Sequence, residues 1–543
     1  MSPGSGGSAR VRRRVLATGG FAHAIHDGFT DCIYVLLPMW AAAFALTHTE
    51  VGALKLVMSG FLAATQVPAG LVAERYGERA VLVVGTVLAG VAYVLLGWAG
   101  GFLSLAAFLV VAGTGCGTQH PLVSAIISRA YPASGRRAAL GTYNFTGDLG
   151  KVVAPAAVAA GAAAYGWPAS AAAYGIFALC GAVALGALLP GRTASPGEAE
   201  PRARKEAGKG WGITDRRGFA SLSVIGMIDS GARLSFLTFL PFLLVEKGAS
   251  IATVGQALAL VFAGGAAGKL VCGHVAERVG ILRTVVLTET ATTALIAAVI
   301  LLPLDMTLVV LPLAGVALNG TSSVLYGTIG DFVEGDRQAR AYGLFYTLGI
   351  GAGAVSPLVF GMVSDLWGVA TALAAIAALV LAVLPMCPVL GPRLRRADSE
   401  RRLVLRPAEA EDSEFCFGVR AAAFRPYLEP KHGWDEGEER RRHERRFREQ
   451  EFQVIEWEGE PAGIVALATG EDCLWLKQIC ITPSHQGRGI GGACLRRLLE
   501  EAGKRGVPVR LRSLKVNPRA LAFYERHGFR RTGETDTHYL LER

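Results

Sequence analysis

Apolar segments long enough to cross a membrane alternate with short charged loops along the first two thirds of the chain. A membrane-spanning helix needs roughly 20 apolar residues to cross a hydrocarbon core of about 30 Å. Such segments recur from Val15 to Leu390, and the pattern predicts twelve membrane helices. We expect them near residues 16–43, 51–73, 80–99, 102–127, 139–163, 169–190, 218–245, 252–276, 284–303, 306–330, 341–363 and 369–390.

The pattern changes near Arg393 to that of a soluble α+β domain. The residues after this point are heavily charged and form short strand-like and helical stretches. At 543 residues the chain is too long for one ordinary core. We predict a tail at 1–14, a first membrane half at 15–190, a charged linker at 191–217, a second membrane half at 218–392 and the soluble domain at 401–543.

The formal net charge of +10 could indicate a nucleic-acid partner, but the positions of the basic residues argue against one. They cluster in alternate loops of the membrane part, and the other short loops are nearly free of Lys and Arg, apart from Lys247. This asymmetry follows the positive-inside rule, so we predict an inner-membrane protein whose termini and soluble domain are cytoplasmic. The nine cysteines form no CxxC pair or metal-like spacing, which indicates packing thiols and no metal site.

The membrane part contains an internal repeat at an offset of about 203 residues. Pro38 then falls on Pro241, and residues 70–77 fall on residues 273–280. Repeats of this kind are typical of transporters built from two related bundles. The offset therefore predicts two six-helix halves in parallel repeat.

The stretch from Gly70 to Arg79 resembles the signature between helices 2 and 3 of the major facilitator superfamily, with Glu74 in place of the usual Asp. The resemblance implies an all-α membrane transporter of twelve helices in two six-helix pseudo-repeats. It also implies a gate, because glycines let helices approach closely and the charges can make contacts that differ between two states. A turn with solvated charges is the alternative. The predicted gating residues are Gly70, Glu74, Arg75, Gly77, Gly273, Glu277 and Arg278.

A second resemblance involves the predicted helices 4 and 5. Residues 113–121 and 141–155 are similar to the corresponding helices of fosmidomycin-resistance efflux proteins. This resemblance implies a proton-driven antiporter that exports a drug and contributes to antibiotic resistance. A glycine-rich helix 5 that only permits close backbone packing is the alternative.

Ionisable residues inside the predicted membrane helices are candidates for proton coupling. Each costs ~2.5–3.5 kcal/mol on insertion scales, so such groups normally face a cavity and a partner. His23, Asp27 and Asp31 share one face of helix 1. Asp27 has no Lys or Arg on its own helix, so its set of partners is incomplete and we expect it to carry the proton. The further candidates are His26, Asp31, His120, Asp148, Lys151, Asp229 and Arg233.

Some of these candidates also have a purely structural interpretation. Asp148 and Lys151 are one turn apart, as are Asp229 and Arg233, so each pair could be a salt bridge that never changes protonation. His120 is either a substrate contact or a core histidine with satisfied hydrogen bonds.

Three other charged residues receive different predictions. Lys55 lies near the end of helix 2 and is expected to extend toward the membrane surface. Lys269 and Glu289 lie nearer the cytoplasmic side and are expected at a gate or an interface.

In the soluble domain, residues 479–491 end a predicted strand, turn on glycines and begin a helix. Glycines permit close backbone approach, and the amides at a helix N-terminus favour an anionic phosphate. A Rossmann motif does not fit, because no acidic residue follows about twenty positions later. Together with a second block from Asn517 to Phe529, the loop resembles the GCN5-related N-acetyltransferase (GNAT) family, whose signature is Gln/Arg-x-x-Gly-x-Gly/Ala.

The GNAT resemblance implies an acetyl-CoA-dependent N-acetyltransferase. Tyr524 would protonate the departing thiolate, with a core aromatic as the alternative. The general base is not evident, because Lys477 and Gln478 stand where the family often has Glu. Glu456 or a water-relayed base could serve. The cofactor-binding residues implied by position are Ile479, Ile481, Gln486, Gly487, Arg488, Gly489, Gly491 and Asn517.

Together these features predict a bifunctional protein of the lipid bilayer. It would couple protons to the export of a small molecule with a primary amine, and its cytoplasmic domain would acetylate such an amine. One alternative is a regulatory domain that acetylates protein lysines or senses acetyl-CoA. The other is an importer whose substrate is trapped by acetylation.

Overall fold

The computed structural model describes residues 5–131, 133–189, 213–333, 338–449, 451–470 and 472–543. The chain divides into two compact units, Met1–Gly391 and Pro392–Arg543. Most of the predicted linker at 191–217 lies outside the described residues, and its last two positions belong to a helix that begins at Arg216. The predicted tail at 1–14 is shorter than expected, because the first helix begins at Ser5.

The first unit is built from helices. Ten of its segments are, within the described residues, long and apolar enough to span a membrane. The helices α1 and α6 complete the expected twelve and carry more charged residues, so the predicted all-α membrane fold is confirmed. Their bounds are α1 Ser5–Phe44, α2 His48–Tyr76, α3 Glu78–Leu96, α4 Phe102–Cys116, α5 Gln119–Ala130, α6 Ala133–Tyr165, α7 Trp167–Leu188, α8 Arg216–Glu246, α9 Ile251–Val279, α10 Ile281–Leu301, α11 Leu304–Thr328, α12 Gln338–Trp367, α13 Val369–Leu381 and α14 Cys387–Arg402.

Glycine allows the two halves of this unit to touch where α2 begins and α12 ends. A Cβ atom built on Gly52 would lie 2.4 Å from the carbonyl oxygen of Pro357 in α12. One built on Gly361 would lie 2.4 Å from the carbonyl oxygen of His48 in α2. Side chains do not tolerate contacts this short, so the close packing of α2 against α12 requires glycine at both positions.

Asp365, near the end of α12, caps the N-terminus of α2 in the other half. Its Oδ1 accepts a hydrogen bond from the backbone N–H of His48 (2.7 Å). Its Oδ2 accepts from the N–H (2.9 Å) and the hydroxyl (2.5 Å) of Thr49. A helix N-terminus carries unpaired N–H groups and a partial positive charge, so the carboxylate stabilises the contact between the halves.

We expect Asp365→Ala to shift the protein toward a state that is open at this end. Losing a helix cap costs about 0.5–2 kcal/mol, which corresponds to about a 2- to 30-fold change in an equilibrium constant. The measurement is the labelling rate of Leu358→Cys by a membrane-impermeant thiol reagent, in a protein whose exposed Cys180 has been replaced. Glu50→Ala is the matched control, because Glu50 caps the same helix end within its own half. Equal labelling of the two variants would contradict the expectation.

The second unit is a seven-stranded sheet with helices on both faces, which confirms the predicted α+β class. The strand order is β1-β2-β3-β4-β5-β7-β6, and only β4 and β5 run parallel among the described neighbours. One core cluster packs α17 and α18 against the sheet, and another packs α15 on the strands β2 to β4. The bounds are β1 Leu403–Pro407, α15 Ser413–His432, α16 Glu436–Glu449, β2 Glu451–Trp457, β3 Glu460–Thr469, β4 Leu474–Ile481, α17 Ile490–Arg505, β5 Val509–Leu514, α18 Pro518–Arg526, β6 Arg530–Glu534 and β7 His538–Glu542.

Candidate functional site

Asp27 of α1 is the centre of a charged cluster formed by His23, Asp27, His120 and Lys151, which we call the Asp27 cluster. The Oδ2 atom of Asp27 is 3.3 Å from His23 Nε2 and 3.3 Å from Lys151 Nζ. Its Oδ1 atom is 3.6 Å from His120 Nε2. The expectation that Asp27 has an incomplete set of partners is therefore wrong, because α5 supplies His120 and α6 supplies Lys151.

One hydrogen bond of His23 fixes which ring nitrogen carries its proton. The Nδ1 atom of His23 is 2.9 Å from the backbone carbonyl oxygen of Tyr143. A carbonyl oxygen only accepts, so Nδ1 carries a proton. If Asp27 is ionised and the ring is neutral, the Nε2 atom carries no proton. Its lone pair then faces a lone pair of the carboxylate, and the two repel each other. The contact becomes favourable when one further proton binds at His23 Nε2 or at Asp27 Oδ2.

A second carboxylate connects this cluster to the other half of the unit. Asp148 of α6 is 2.6 Å from Lys269 of α9, and 3.9 Å from Lys151. The salt bridge of Asp148 with Lys151 that the spacing allowed is present, but it is the longest contact of a larger network, since Lys151 lies closer to Asp27 and Asp148 lies closer to Lys269. Lys269 is an interface residue as predicted, because its ion pair crosses between the halves.

Asp229 and Arg233 of α8 do not form the expected salt bridge. They interact at longer range only, and Asp229 is buried near Glu289 of α10. Arg233 Nη1 donates instead to Asn319 Oδ1 of α11, at 3.4 Å. The Nε atom of Arg233 is buried and has no hydrogen-bond partner within the described residues. Among the described residues, no carboxylate therefore satisfies the donors of Arg233.

The remaining polar residues of α1 are also buried. His26 Nε2 contacts the hydroxyl of Thr86 in α3 at 2.8 Å. Asp31 is 8% exposed and interacts with Lys55 at longer range. Lys55 is only 3% exposed, and its Nζ lies 4.1 Å from the ring centroid of Tyr34. The prediction that Lys55 extends to the membrane surface is therefore wrong.

The signature glycines do not make the close helix contacts that were predicted for them. A Cβ atom built on Gly70 or Gly273 would meet no described atom within 4 Å. Gly77 has a backbone role, because its φ of 87° is strained for other residues and it ends α2. In this conformation Gly77 shapes the turn after α2, whereas Gly70 and Gly273 lie within helices and do not join them to another described helix.

The charged residues of the signature are exposed in this conformation. Glu74, Arg75 and Arg278 lie at the surface, and the guanidinium of Arg75 lies 5.4 Å from the ring centroid of Tyr76. The side chain of Glu277 lies outside the described part of the chain. A gating role for these residues stays a prediction that concerns another conformation.

In the second unit, the loop before α17 has the backbone conformation that its glycines allow. Gly487 and Gly489 have φ angles of 80° and 83°, and Gly489 is the left-handed N-cap of α17. The side-chain amide of Gln486 donates to the carbonyl oxygen of Ile481 and so ties the loop to β4 (3.0 Å). Arg488 is exposed. The loop therefore presents backbone N–H groups at a helix N-terminus, where an anionic phosphate is favoured.

Beside this loop, the sheet opens between β4 and β5. The two strands pair only from Leu474 to Leu476, although β4 continues to Ile481, and this pairing ends next to a bulge at Lys477. Two buried side-chain oxygens at the opening, Gln478 Oε1 and Ser513 Oγ, have no hydrogen-bond partner in the part that the structure describes. Unpaired buried polar atoms are rare in folded proteins. The opening, with the edge of β4 from Ile479 to Ile481, therefore fits a polar, elongated cofactor such as acetyl-CoA.

Tyr524 and Asn517 lie on the helix that follows β5. Asn517 caps α18 by accepting a hydrogen bond from the N–H of Ala520 (3.0 Å), a structural task that the sequence did not indicate. Tyr524 is 9% exposed and packs edge-on against Phe523 and Phe529. Burial raises the pKa of its hydroxyl above the ordinary value. The hydroxyl therefore stays protonated at neutral pH and can donate a proton.

Glu456, the candidate general base, is held by another side chain. Its Oε1 atom is 2.7 Å from Arg406 Nε, and Arg406 also binds Asp412 through two hydrogen bonds. These hydrogen bonds lower the pKa of Asp412 to about 2. The guanidinium of Arg406 occupies this oxygen, so the geometry favours a structural role for Glu456 and leaves a water-relayed base as the remaining candidate.

We expect Gly489→Val to weaken acetyl-CoA binding by about 5- to 150-fold. A non-glycine residue in the left-handed region costs about 1–3 kcal/mol, and a branched side chain changes the loop further. The measurement is calorimetric titration of the purified protein with acetyl-CoA. Gly491→Ala is the matched control, because Gly491 is helical and its added Cβ would meet Phe523 at an ordinary 3.6 Å. Normal binding by the valine variant would contradict the assigned phosphate loop.

Comparison with known proteins assigns both units to families. The family model described as Major Facilitator Superfamily matches residues 19–311 and 222–428. The chain therefore belongs to the Major Facilitator Superfamily and is a multi-pass membrane transporter. The model described as Acetyltransferase (GNAT) family matches residues 420–529. The second unit thus carries a GNAT domain, which indicates an acetyltransferase.

Individual relatives agree with the transporter fold. A curated protein named "Probable sulfoacetate transporter SauU", from Cupriavidus necator, is 33% identical over 157 residues, which cover 28% of this chain and 34% of that protein. The chain thus matches about a third of the relative's length. One similar structure is a crystal structure of a bacterial homolog to the human lysosomal transporter Spinster, in an inward-facing and occupied conformation. It has a TM-score of 0.59 at 18% sequence identity, and the match covers 71% of this chain and 97% of that chain. A mutant of the nucleoside transporter NupG has a TM-score of 0.57 at 12% identity, covering 68% and 99%. At these identities the two structures show the fold alone, and the fosmidomycin-resistance subgroup stays a prediction.

Proposed function

We propose that this protein is a proton-coupled exporter of a small molecule, joined to an acetyl-CoA-dependent N-acetyltransferase that acts on a primary amine of the same or a related molecule. The proton-coupling proposal is supported above all by the contact between His23 and Asp27, where one further proton would join the ring nitrogen to the carboxylate by a hydrogen bond. Asp27 also pairs with Lys151, which in turn contacts Asp148. Asp148 extends the network to the other half through its ion pair with Lys269.

Coupling follows from the way the network shares its charges. A proton on Asp27 removes the negative charge that holds Lys151 and His120. The ammonium group of Lys151 is then attracted mainly by Asp148. Asp148 also pairs with Lys269 of the other half. Protonation therefore changes the electrostatic energy of the contact between the halves, which is what an alternating-access transporter requires.

The acetyltransferase proposal is supported by the glycine loop and the opening between β4 and β5. The backbone of residues 486–491 would hold the phosphates of acetyl-CoA, and the β4 edge would orient the rest of the molecule. Acetyl-CoA supplies an activated acetyl group when it is bound. Tyr524 holds a proton at Oη, and Asn517 fixes the start of the helix that carries it.

We propose a cytoplasmic position for the second unit, in an inner-membrane protein. The supporting observation is the excess of basic residues in alternate loops, since such loops remain in the cytoplasm. Acetyl-CoA is then accessible. A reporter fused after Arg543 should report the cytoplasm, and labelling of that terminus from outside intact cells would overturn the assignment.

The joint function is tested in two strains, one with the transport unit disabled and one with the acetyltransferase unit disabled. The measurement compares the susceptibility of each strain to a panel of toxic compounds. Asp27→Asn disables proton coupling and Tyr524→Phe disables acetylation. We expect both variants to sensitise cells to the same amine-containing compounds, because both units act on one solute. Sensitivity to separate sets of compounds would contradict a shared substrate and favour a regulatory acetyltransferase.

A further inference from the structure

Three cationic side chains from three helices converge at the edge of the Asp27 cluster, to which one of them, Lys151, belongs. They are Lys151 of α6 and Lys269 of α9, which both contact Oδ1 of Asp148, and Arg233 of α8, which lies within electrostatic range of both lysines. Like charges at such range repel strongly where water is scarce. Asp148 pairs with Lys151 and Lys269, whereas Arg233 has no carboxylate partner within the described residues.

The carboxylates of the network lie behind these cations. The side chains of Lys151 and Lys269 are 31% and 39% exposed, whereas those of Asp27 and Asp148 are 6% and 14% exposed. His120 is also accessible, with 43% of its side chain exposed. A solute that reaches the network therefore meets positive charge first.

Arg233 supplies an independent observation. Its Nε donor is buried without a partner among the described residues, and its one hydrogen bond, to Asn319, is long at 3.4 Å. Its neighbour Asp229, one turn away, does not pair with it. A guanidinium binds planar or tetrahedral oxyanions through two parallel hydrogen bonds, and no described protein group fills that role here.

We propose that Lys151, Lys269 and Arg233 form a binding site for the anionic group of the transported solute, a carboxylate, sulfonate or phosphonate. This inference rests on the proposed transport function and names its substrate class. A bound oxyanion competes with Asp148 for Lys269, and so acts on the ion pair that crosses between the halves. Acetylation of a solute's ammonium group forms an amide, releases CoA as the thiol and one proton to water, and so removes the positive charge. The acetylated product is a net anion, which suits the cationic site.

The test measures binding to the purified full-length protein in lipid nanodiscs. The probes are N-acetylglycine, N-acetyltaurine and N-acetylaminomethylphosphonate, with N-acetylglycinamide as the neutral probe of matched size. We expect at least one acid to bind about 10- to 100-fold more tightly than the amide, the scale of a hydrogen bond between charged groups. Lys269→Gln and Arg233→Gln should abolish that preference, and Lys269→Arg should retain it.

Arg129→Gln is the control, because it removes an exposed cation that pairs with Glu78 away from the network. Unliganded melting temperature and acetyl-CoA binding of each variant show whether it is folded. Equal binding of acids and amide, no binding of any acid, or full preference in both glutamine variants would overturn the anion site. A different result would contradict the proposed transport function alone. The protein would still bind the anions, but a proton gradient would drive no transport.

Discussion

Asp27→Asn is expected to reduce transport driven by a proton gradient to the level of protein-free vesicles. The amide keeps the size of the carboxyl group but cannot take up or release a proton. It also removes the charge that holds Lys151 and His120. Transport is measured in proteoliposomes with a pH-sensitive dye, using a compound identified by the susceptibility comparison. Acetylation by the second unit should remain at the wild-type level.

Two further variants control this result. Asp27→Glu keeps a carboxyl group in the cluster and should retain part of the transport activity. Asp31→Asn removes a buried carboxylate for which no ion pair is found within the described residues, and it should have the smaller effect. Wild-type transport with wild-type pH dependence in Asp27→Asn would exclude Asp27 as the proton carrier. Asp31, Asp148 and Asp229 would then be the candidates.

The charged face of α1 could be predicted from the sequence, because helical periodicity alone places His23, Asp27 and Asp31 together. Its partners could not. Lys151 and Asp148 are one turn apart, so spacing favours a pair between them, but the structure gives each a closer partner on another helix. Which helices meet across the two halves depends on tertiary packing, and no local pattern in the sequence reports it.

The contact of Asp365 with the start of α2 shows the same limit. His48 and Thr49 are separated from Asp365 by more than 300 residues, and nothing near either end of that span indicates the partner. For Lys55, the position near a helix end indicated an extended side chain. The aromatic ring of Tyr34 on α1 instead offers the ammonium group a buried contact.

In the second unit the glycine loop was predictable, since left-handed backbone conformations leave glycine as a visible mark in the sequence. The opening beside it was not. It lies where the pairing between β4 and β5 ends at Leu476, next to a bulge at Lys477. Strand register is set by the whole sheet, so a single strand's alternation cannot show where two neighbours separate.

Tyr524→Phe is expected to reduce acetyl transfer by about 10²- to 10⁴-fold, the usual contribution of a positioned proton donor, and to leave acetyl-CoA affinity near normal. The ring keeps its contacts with Phe523 and Phe529, so the core of the domain is preserved. Only the hydroxyl is lost, and burial keeps that hydroxyl protonated across the neutral pH range by raising its pKa. Turnover of amine acceptors by the purified full-length protein gives the rate, and calorimetry gives the affinity.

Tyr539→Phe is the matched control for this prediction. Tyr539 lies on β7 in the same domain, beneath the cationic groups of Arg531 and Lys515, and its loss of a hydroxyl should leave turnover unchanged. A wild-type rate in Tyr524→Phe would make Tyr524 a core aromatic and would transfer proton donation to water. A lower affinity with an unchanged maximal rate would instead show that the hydroxyl helps to hold acetyl-CoA. If neither variant nor the wild type binds acetyl-CoA, the domain is a GNAT fold that serves another ligand, and the transporter works without an enzyme attached.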